Sequence, residues 1–291
     1  MPGQLTRRAI AAQPAWLRQV PERVGNARLP EGVRVLFTGC GTSHHAALAC
    51  GPAAQALEVV LGNAPSADVL VALSHEGETQ LTLEAVEGFR GETWLVTGAP
   101  ESRIARAADH VVVATPEVEE SYCHTASYTC AVAAGRALQG EDVSGLPAAV
   151  AAELEAEPLR VSTHDRFVVV GAGADTPTAL EAVLKLREGA HVAAEGHHTE
   201  QLLHGHLAAI DDTVRCFVLE GAGRAATRAR DVIRALAELG CEATLVPTSH
   251  PVVDVVRFQR LTCDLAETRG IDPDLIRWDE EPWDRARKSY S

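Results

Sequence analysis

The chain has 291 residues, of which 46% are hydrophobic and 23% charged, and its formal net charge is −14. This composition is typical of a globular protein with one large domain or two of ordinary size. The excess of carboxylates disfavours nucleic acid and anionic membranes as partners, because both require a basic face. A small anionic ligand remains possible where backbone amides bind it.

The start of the chain and its cysteines favour a cytoplasmic location. After Arg7 and Arg8 an apolar run stops at Gln13 and Pro14, which is too short for a signal peptide. No segment has the length of a membrane span. The seven cysteines are odd in number and form no Cys-x-x-Cys pair, which indicates buried free thiols in a reducing compartment.

Four strand-like apolar runs alternate with helical segments in the first half. The runs are VRVLF (33–37), DVLVALS (68–74), TWLVT (93–97) and HVVVAT (110–115). Helix-like segments follow at 80–89 and 128–138. Apolar strands alternating with helices predict a parallel sheet that is covered on both faces.

The second half repeats this plan. RFVVVGAGAD (166–175) resembles RVLFTGCGTS (34–43), since each has a basic residue, an apolar strand and a G-x-G turn before a helix. A strand-like run at 214–221, a helix at about 225–239 and a strand at 242–248 follow. We predict two similar α/β halves, joined near the acidic, alanine-rich segment 147–158.

Two loops follow strands of the first half: TGCGTS (38–43, the first loop) and SHEGETQ (74–80, the second loop). The carboxyl ends of parallel strands meet at one sheet edge, and glycines let the backbone approach a ligand there. Hydroxyls of Ser43, Ser74 and Thr79, with the amides of Gly41 and Gly77, predict an anion site. Either loop alone would equally suit tight packing without a ligand.

The chain contains only two lysines, Lys185 and Lys288. A lysine can lose its proton and form a Schiff base with a sugar carbonyl, whereas a guanidinium stays protonated. On the predicted helix 178–188, Glu181 and Glu188 share one face with Lys185. A solvated, salt-bridged stripe is the ordinary explanation for such a face.

Together these motifs resemble the double sugar-isomerase (SIS) family, in particular the isomerase domain of glucosamine-6-phosphate synthase and its stand-alone deaminase-like relatives. The resemblance runs from about residue 33 to the C-terminus. It is carried by GCGTS (39–43), SHEGET (74–79), ESYCHTASYT (120–129), ALEAVLKLRE (179–188) and EQLLHG (200–205). It implies two flavodoxin-like α/β SIS subdomains, each a parallel β-sheet flanked by helices: residues 1–150 with an N-terminal helical extension, and 151–291 with a C-terminal catalytic tail.

The resemblance also implies a set of residues that contact the sugar or its phosphate. They are Cys40, Gly41, Thr42, Ser43, Ser74, His75, Glu76, Gly77, Thr79, Thr125 and Ser127. Glu76 departs from the family, which usually has a serine there, and a carboxylate would repel a phosphate. A sugar that lacks phosphate or carries a cationic group therefore stays open as the ligand.

Four catalytic roles are implied in the same way. In the family's pattern Glu188 moves a proton between carbons 1 and 2, and Lys185 lines the sugar site. His204 opens the sugar ring and reaches into the neighbouring subunit's site. Lys288, in the tail RARKSYS (285–291), attacks the open ketose.

We therefore expect a homodimeric sugar-phosphate isomerase or deaminase that acts on an amino- or keto-hexose phosphate without a metal or organic cofactor. Glutamine-dependent synthesis is not expected, because the chain begins MPGQLT and lacks the N-terminal cysteine nucleophile. Two alternatives remain open: a deglycase that cleaves fructosyl-amine derivatives, with or without phosphate, and a sugar-binding sensor without turnover. Histidines 191, 197, 198, 204 and 206 raise the question of a metal, but adjacent histidines point apart, so we predict none.

Overall fold

The computed structural model describes residues 2–290 as an α/β protein with two sheets. Its helices are α1 (Gln4–Leu17), α2 (Val20–Val24), α3 (Thr42–Cys50), α4 (Ala56–Val60), α5 (Gln80–Gly88), α6 (Arg103–Ala107), α7 (Ala126–Leu138), α8 (Leu146–Glu155), α9 (Thr176–Ala190), α10 (Thr199–Leu203), α11 (Arg224–Glu238), α12 (Pro251–Arg269) and α13 (Glu281–Lys288). Its strands are β1 (Val35–Gly39), β2 (Ala53–Gln55), β3 (Val69–Leu73), β4 (Glu92–Thr97), β5 (His110–Val113), β6 (Arg166–Gly171), β7 (Ala193–His198), β8 (Val214–Leu219) and β9 (Glu242–Val246).

The first sheet has five parallel strands in the order β2-β1-β3-β4-β5. This is the strand order of flavodoxin-like folds, in which ligands bind where the order reverses, at the carboxyl ends of β1 and β3. All five residues of β3, VLVAL, are buried, because helices cover both faces of the sheet. The topology therefore predicts a ligand site at the two loops.

The second sheet has four parallel strands in the order β7-β6-β8-β9. This order matches four strands of the first sheet: β6, the first strand of the second half, lies between β7 and β8, as β1 lies between β2 and β3. Two parallel sheets flanked by helices confirm the predicted fold class.

Helix α12 joins the two halves. Val252, Val255 and Val256, in its first turns, belong to the core of the first half. Phe258 and Leu261, further along, belong to the core of the second half. The predicted boundary between residues 150 and 151 falls inside α8. A shared helix of this kind holds the two halves in a fixed relation.

All seven cysteines are free thiols, and every one except Cys40 is buried. Within residues 2–290, no helix combines the length and the apolar character needed to cross a bilayer.

Candidate active site

A cleft of about 480 Å³ opens where the loops after β1 and β3 face α9 of the second half. Its lining residues are Cys40, Thr42, Ser43, Ser74, His75, Glu76, Thr79, Tyr122, His124, Glu188, Ile276 and Trp278. The first seven and Glu188 are among the predicted site residues. The fold thus brings most of the predicted constellation to one place.

The first loop turns sharply from β1 into α3. Gly41 has φ 55°, a left-handed conformation that favours glycine, and its carbonyl accepts hydrogen bonds from the amides of His44 and His45. A Cβ on Gly39 would lie 2.8 Å from Ser43 Cβ. Both glycines are therefore needed to place Thr42 and Ser43 at the start of the helix.

The second loop turns from β3 into α5. Gly77 has φ 69° and packs behind the loop, where a Cβ would overlap Ser102 Oγ. Ser74 is buried at the end of the strand, and Thr79 is the N-cap residue of α5. Because Gly77 holds the turn against Ser102, Ser74 and Thr79 both face the cleft.

A buried ionic network lies under the cleft. Lys185 Nζ donates to Glu188 Oε2 at 2.6 Å and to Thr42 Oγ1 at 3.1 Å, and lies 3.5 Å from Glu181 Oε1. Glu181 is fully buried and also contacts Thr42 Oγ1 (3.2 Å) and His45 Nδ1 (2.8 Å). The predicted stripe on α9 is thus an interior network that connects the two halves.

Lys185 is held in its protonated form. Burial alone would lower the pKa of Lys185, but the carboxylates of Glu188 and Glu181 outweigh burial and raise it above its ordinary value. An ammonium of this kind does not act as a nucleophile at neutral pH. Lys185 is instead placed to orient Glu188, whose side chain is one quarter exposed and lines the cleft.

Glu119, which the sequence patterns did not single out, organises the wall formed by α7. Its buried carboxylate accepts hydrogen bonds from the backbone amides of Thr125 and Ser127 (both 2.8 Å) and from Thr125 Oγ1 (2.7 Å). The Glu119 amide donates to His75 Nε2 at 2.8 Å. Burial, with a further contribution from His124, lowers the pKa of His75 to about 4, so His75 is neutral.

Thr125 and Ser127 have different surroundings. The Thr125 hydroxyl is committed to Glu119 and does not line the cleft. Ser127 lines a small cavity of about 20 Å³ next to the cleft, and its hydroxyl has no hydrogen-bond partner among residues 2–290.

His204 and Lys288 lie outside the cleft of this chain. His204 is three quarters exposed, and its Nε2 lies 3.3 Å from Glu200. Lys288 is equally exposed and pairs with Asp284 at 2.7 Å, one turn earlier in α13. Within one chain, therefore, the structure brings neither residue to Glu188.

An aromatic wall closes the outer side of the cleft. The rings of Tyr122 and Trp278 stack with centroids 5.1 Å apart, and both side chains are partly exposed. Ile276 and Arg277 just before have positive φ values of 41° and 63°, a strained conformation for residues with side chains. These residues were not predicted, because nothing in the sequence places residue 278 beside residue 122.

No group of three or more histidine, cysteine, aspartate or glutamate side chains within residues 2–290 is placed to hold a metal ion.

Residues 161–271 match the SIS domain family. A glutamine–fructose-6-phosphate aminotransferase of Xanthomonas campestris pv. campestris is 27% identical, over 85% of this chain and 51% of its own length. The chain spans about half, or less, of the length of the curated relatives that it matches first.

Two solved structures show the fold. The C-terminal domain of glucosamine-fructose-6-phosphate aminotransferase from Francisella tularensis has a TM-score of 0.80 at 18% identity, covering 93% of this chain and 98% of its own. Glucosamine-6-phosphate deaminase from Thermotoga maritima has a TM-score of 0.76 at 23% identity, covering 94% and 97%. The resemblance to the double-SIS sugar-isomerase family that the sequence predicts is thereby confirmed.

Proposed function

We propose that this protein is a sugar isomerase or deaminase that transfers a proton between carbons 1 and 2 of an open-chain hexose derivative. The observation that carries this proposal is the position of Glu188. Its carboxylate lines the cleft opposite the two hydroxyl-bearing loops, and Lys185 fixes it at 2.6 Å. A carboxylate that is fixed beside a polyhydroxyl site suits a general base.

The reaction follows from that position. With the ring open, Glu188 takes the proton from carbon 2 as the carbonyl bond shifts, which gives an enediol. It returns the proton to carbon 1, while one hydroxyl proton moves from oxygen 2 to oxygen 1. With an amine on carbon 2 the same transfer gives an imine, which adds water and releases ammonia. Lys185 acts as a positioning residue.

A deglycase is the second candidate, and the aromatic wall favours it. Tyr122 and Trp278 are each 43% exposed and form a flat apolar surface outside the loops. A substituent on the amine of a fructosyl-amine could lie on this surface, while the sugar occupies the loops. A sensor without turnover needs no base at Glu188 and gives that carboxylate only a binding role.

We further propose a homodimer in a reducing compartment. The exposure of His204 leaves its ring accessible to a second copy of the chain, as the family pattern requires. Seven unpaired cysteines suit a reducing compartment such as the cytoplasm. Ring opening would then be carried out by His204 of the neighbouring chain.

The experiment that tests the function is a proton NMR assay in deuterium oxide. The purified protein is incubated with glucosamine, fructose, their 6-phosphates and a fructosyl-amine, and each spectrum is followed for deuterium at carbons 1 and 2. Exchange, isomerisation or ammonia release with any substrate supports the proposal. Binding of a sugar without any exchange would favour the sensor.

A further inference from the structure

The second loop presents a carboxylate to the cleft. Glu76 lies between Ser74 and Thr79, lines the cleft with them, and is 53% exposed. Among residues 2–290 its carboxylate accepts no hydrogen bond. Its nearest ionic neighbour, His124 Nε2, is 3.9 Å from Glu76 Oε1, which is too long for a hydrogen bond. The carboxylate is therefore available to a ligand.

The charges around the cleft do not favour an anion. Its described lining includes two carboxylates, Glu76 and Glu188, and no lysine or arginine. The nearby Lys185 is shared between Glu181 and Glu188, so that group of three carries a net negative charge. The amino ends of α3 and α5 supply only about half a positive charge each. Together these cannot offset the carboxylates.

Nor does His75 supply a positive charge. Its Nε2 accepts a hydrogen bond from the Glu119 amide, so this nitrogen carries no proton. The ring lies edge-on to the ring of His124 with centroids 5.2 Å apart, and burial together with His124 lowers the pKa of His75. A phosphate dianion in the loops would thus meet neutral donors and at least one like charge.

A smaller cavity, which shares His75 and His124 with the cleft, holds a set of buried polar atoms without partners among residues 2–290. They are Thr115 Oγ1, His124 Nε2, Ser127 Oγ and Tyr128 OH. All four residues line the cavity of about 20 Å³, and Thr115, Ser127 and Tyr128 are more than nine-tenths buried. That volume holds one water-sized group, such as a hydroxyl or an amine, but not a phosphate.

We infer that the loop end of the cleft binds a neutral or cationic hydrogen-bond donor of an unphosphorylated sugar derivative, with Glu76 as its acceptor. This inference rests on the proposed function, since it assigns a substrate class to the same site. The donor is a hydroxyl or an amine at the end of the sugar remote from Glu188. A second small polar group of the sugar then occupies the neighbouring cavity, where the hydroxyls of Ser127 and Tyr128 lack partners among residues 2–290.

Binding of matched ligand pairs tests the inference without requiring turnover. Fructose and fructose 6-phosphate, and glucosamine and glucosamine 6-phosphate, are titrated by calorimetry against the wild type and Glu76→Gln. Glu78→Gln is the matched control, because Glu78 is exposed, lies outside the cleft and accepts a hydrogen bond from the Arg103 amide. Titrating 6-amino-6-deoxyglucose beside glucose shows whether the donor at the remote end is an amine or a hydroxyl.

We expect the wild type to bind each unphosphorylated sugar more tightly than its phosphate. Glu76→Gln should strengthen binding of the 6-phosphates by about tenfold or more, because one like charge is removed, and Glu78→Gln should change nothing. Tighter binding of the 6-phosphates by the wild type, with no gain in Glu76→Gln, would overturn the inference and leave the proposed function standing. No binding of either class would contradict both.

Discussion

Lys185 Nζ and Glu188 Oε2 are 2.6 Å apart, one turn along α9, at the boundary between the core and the cleft. The lysine side chain is 1% exposed and the glutamate 25%. Lys185 is therefore fixed by packing, and Glu188 faces the cleft.

Replacement of Lys185 by methionine should destabilise the fold by about 3–5 kcal/mol, because Glu181 would remain buried without its ammonium partner. The double variant Lys185→Met/Glu181→Gln should recover much of this loss. Urea unfolding gives both values, and Lys288→Met, which breaks an exposed pair, should cost less than about 1 kcal/mol. Equal losses of unfolding free energy in Lys185→Met and Lys288→Met would contradict a buried ionic network at Lys185.

Glu119→Gln should cost about 2–3 kcal/mol, because an amide group would face donors that now bind a carboxylate. The adjacent Glu120 is exposed and pairs with the exposed Arg8, so Glu120→Gln should change stability by about 0.5 kcal/mol or less. Thermal and urea unfolding of the two variants make the comparison. A similar stability for both would show that Glu119 does not hold the start of α7.

His75 should make stability depend on pH. Above about pH 6.5 the ring is neutral in both states, but between that pH and about 4 only the unfolded chain takes up the proton. The free energy of unfolding should therefore fall as pH falls through this window. His75→Gln retains an acceptor for the Glu119 amide, and should lose about 2 kcal/mol less than the wild type between pH 7.5 and 4.5. If the unfolding free energies of the wild type and His75→Gln fell equally with pH, His75 would not be the source of the pH dependence.

A shared active site predicts complementation between two inactive variants. If His204 of one chain serves Glu188 of another, a mixture of His204→Asn and Glu188→Gln contains mixed dimers with one intact site. Co-refolded in equal amounts, the mixture should recover roughly a quarter of wild-type activity. Light scattering that shows an active monomer, or a mixture without activity, would contradict a site shared between two chains.

The sequence patterns predict the central strands and the edge strands β5 and β9, but they miss the edge strands β2 and β7. β3 and β8 are buried along their whole length, because helices cover both of their faces; β3 is a continuous apolar run, and β8 is apolar except for the buried Arg215. β2 (AAQ) and β7 (AAEGHH) lie at sheet edges, and neither has a continuous apolar run. Their pairing depends on a neighbouring strand that is already in place, which local composition does not reveal.

The sequence likewise predicts the site only in part. The loop residues and Glu188 follow strand ends or helix spacing, so the sequence and its resemblance bring them together. The burial of Glu181 depends on α3 packing against α9, and an exposed stripe has the same spacing. The contact of Trp278 with Tyr122 joins residues that are distant in the chain. No sequence pattern indicates the positive φ values of the two residues before Trp278.

Proton transfer by Glu188 is tested with Glu188→Gln in the deuterium-exchange assay. Its control is Glu87→Gln, at an exposed position of α5. We expect Glu188→Gln to fold, to bind the sugar and to lose at least about a hundredfold in exchange at carbons 1 and 2, while Glu87→Gln exchanges normally. Exchange by Glu188→Gln at the wild-type rate would show that Glu188 is not the base.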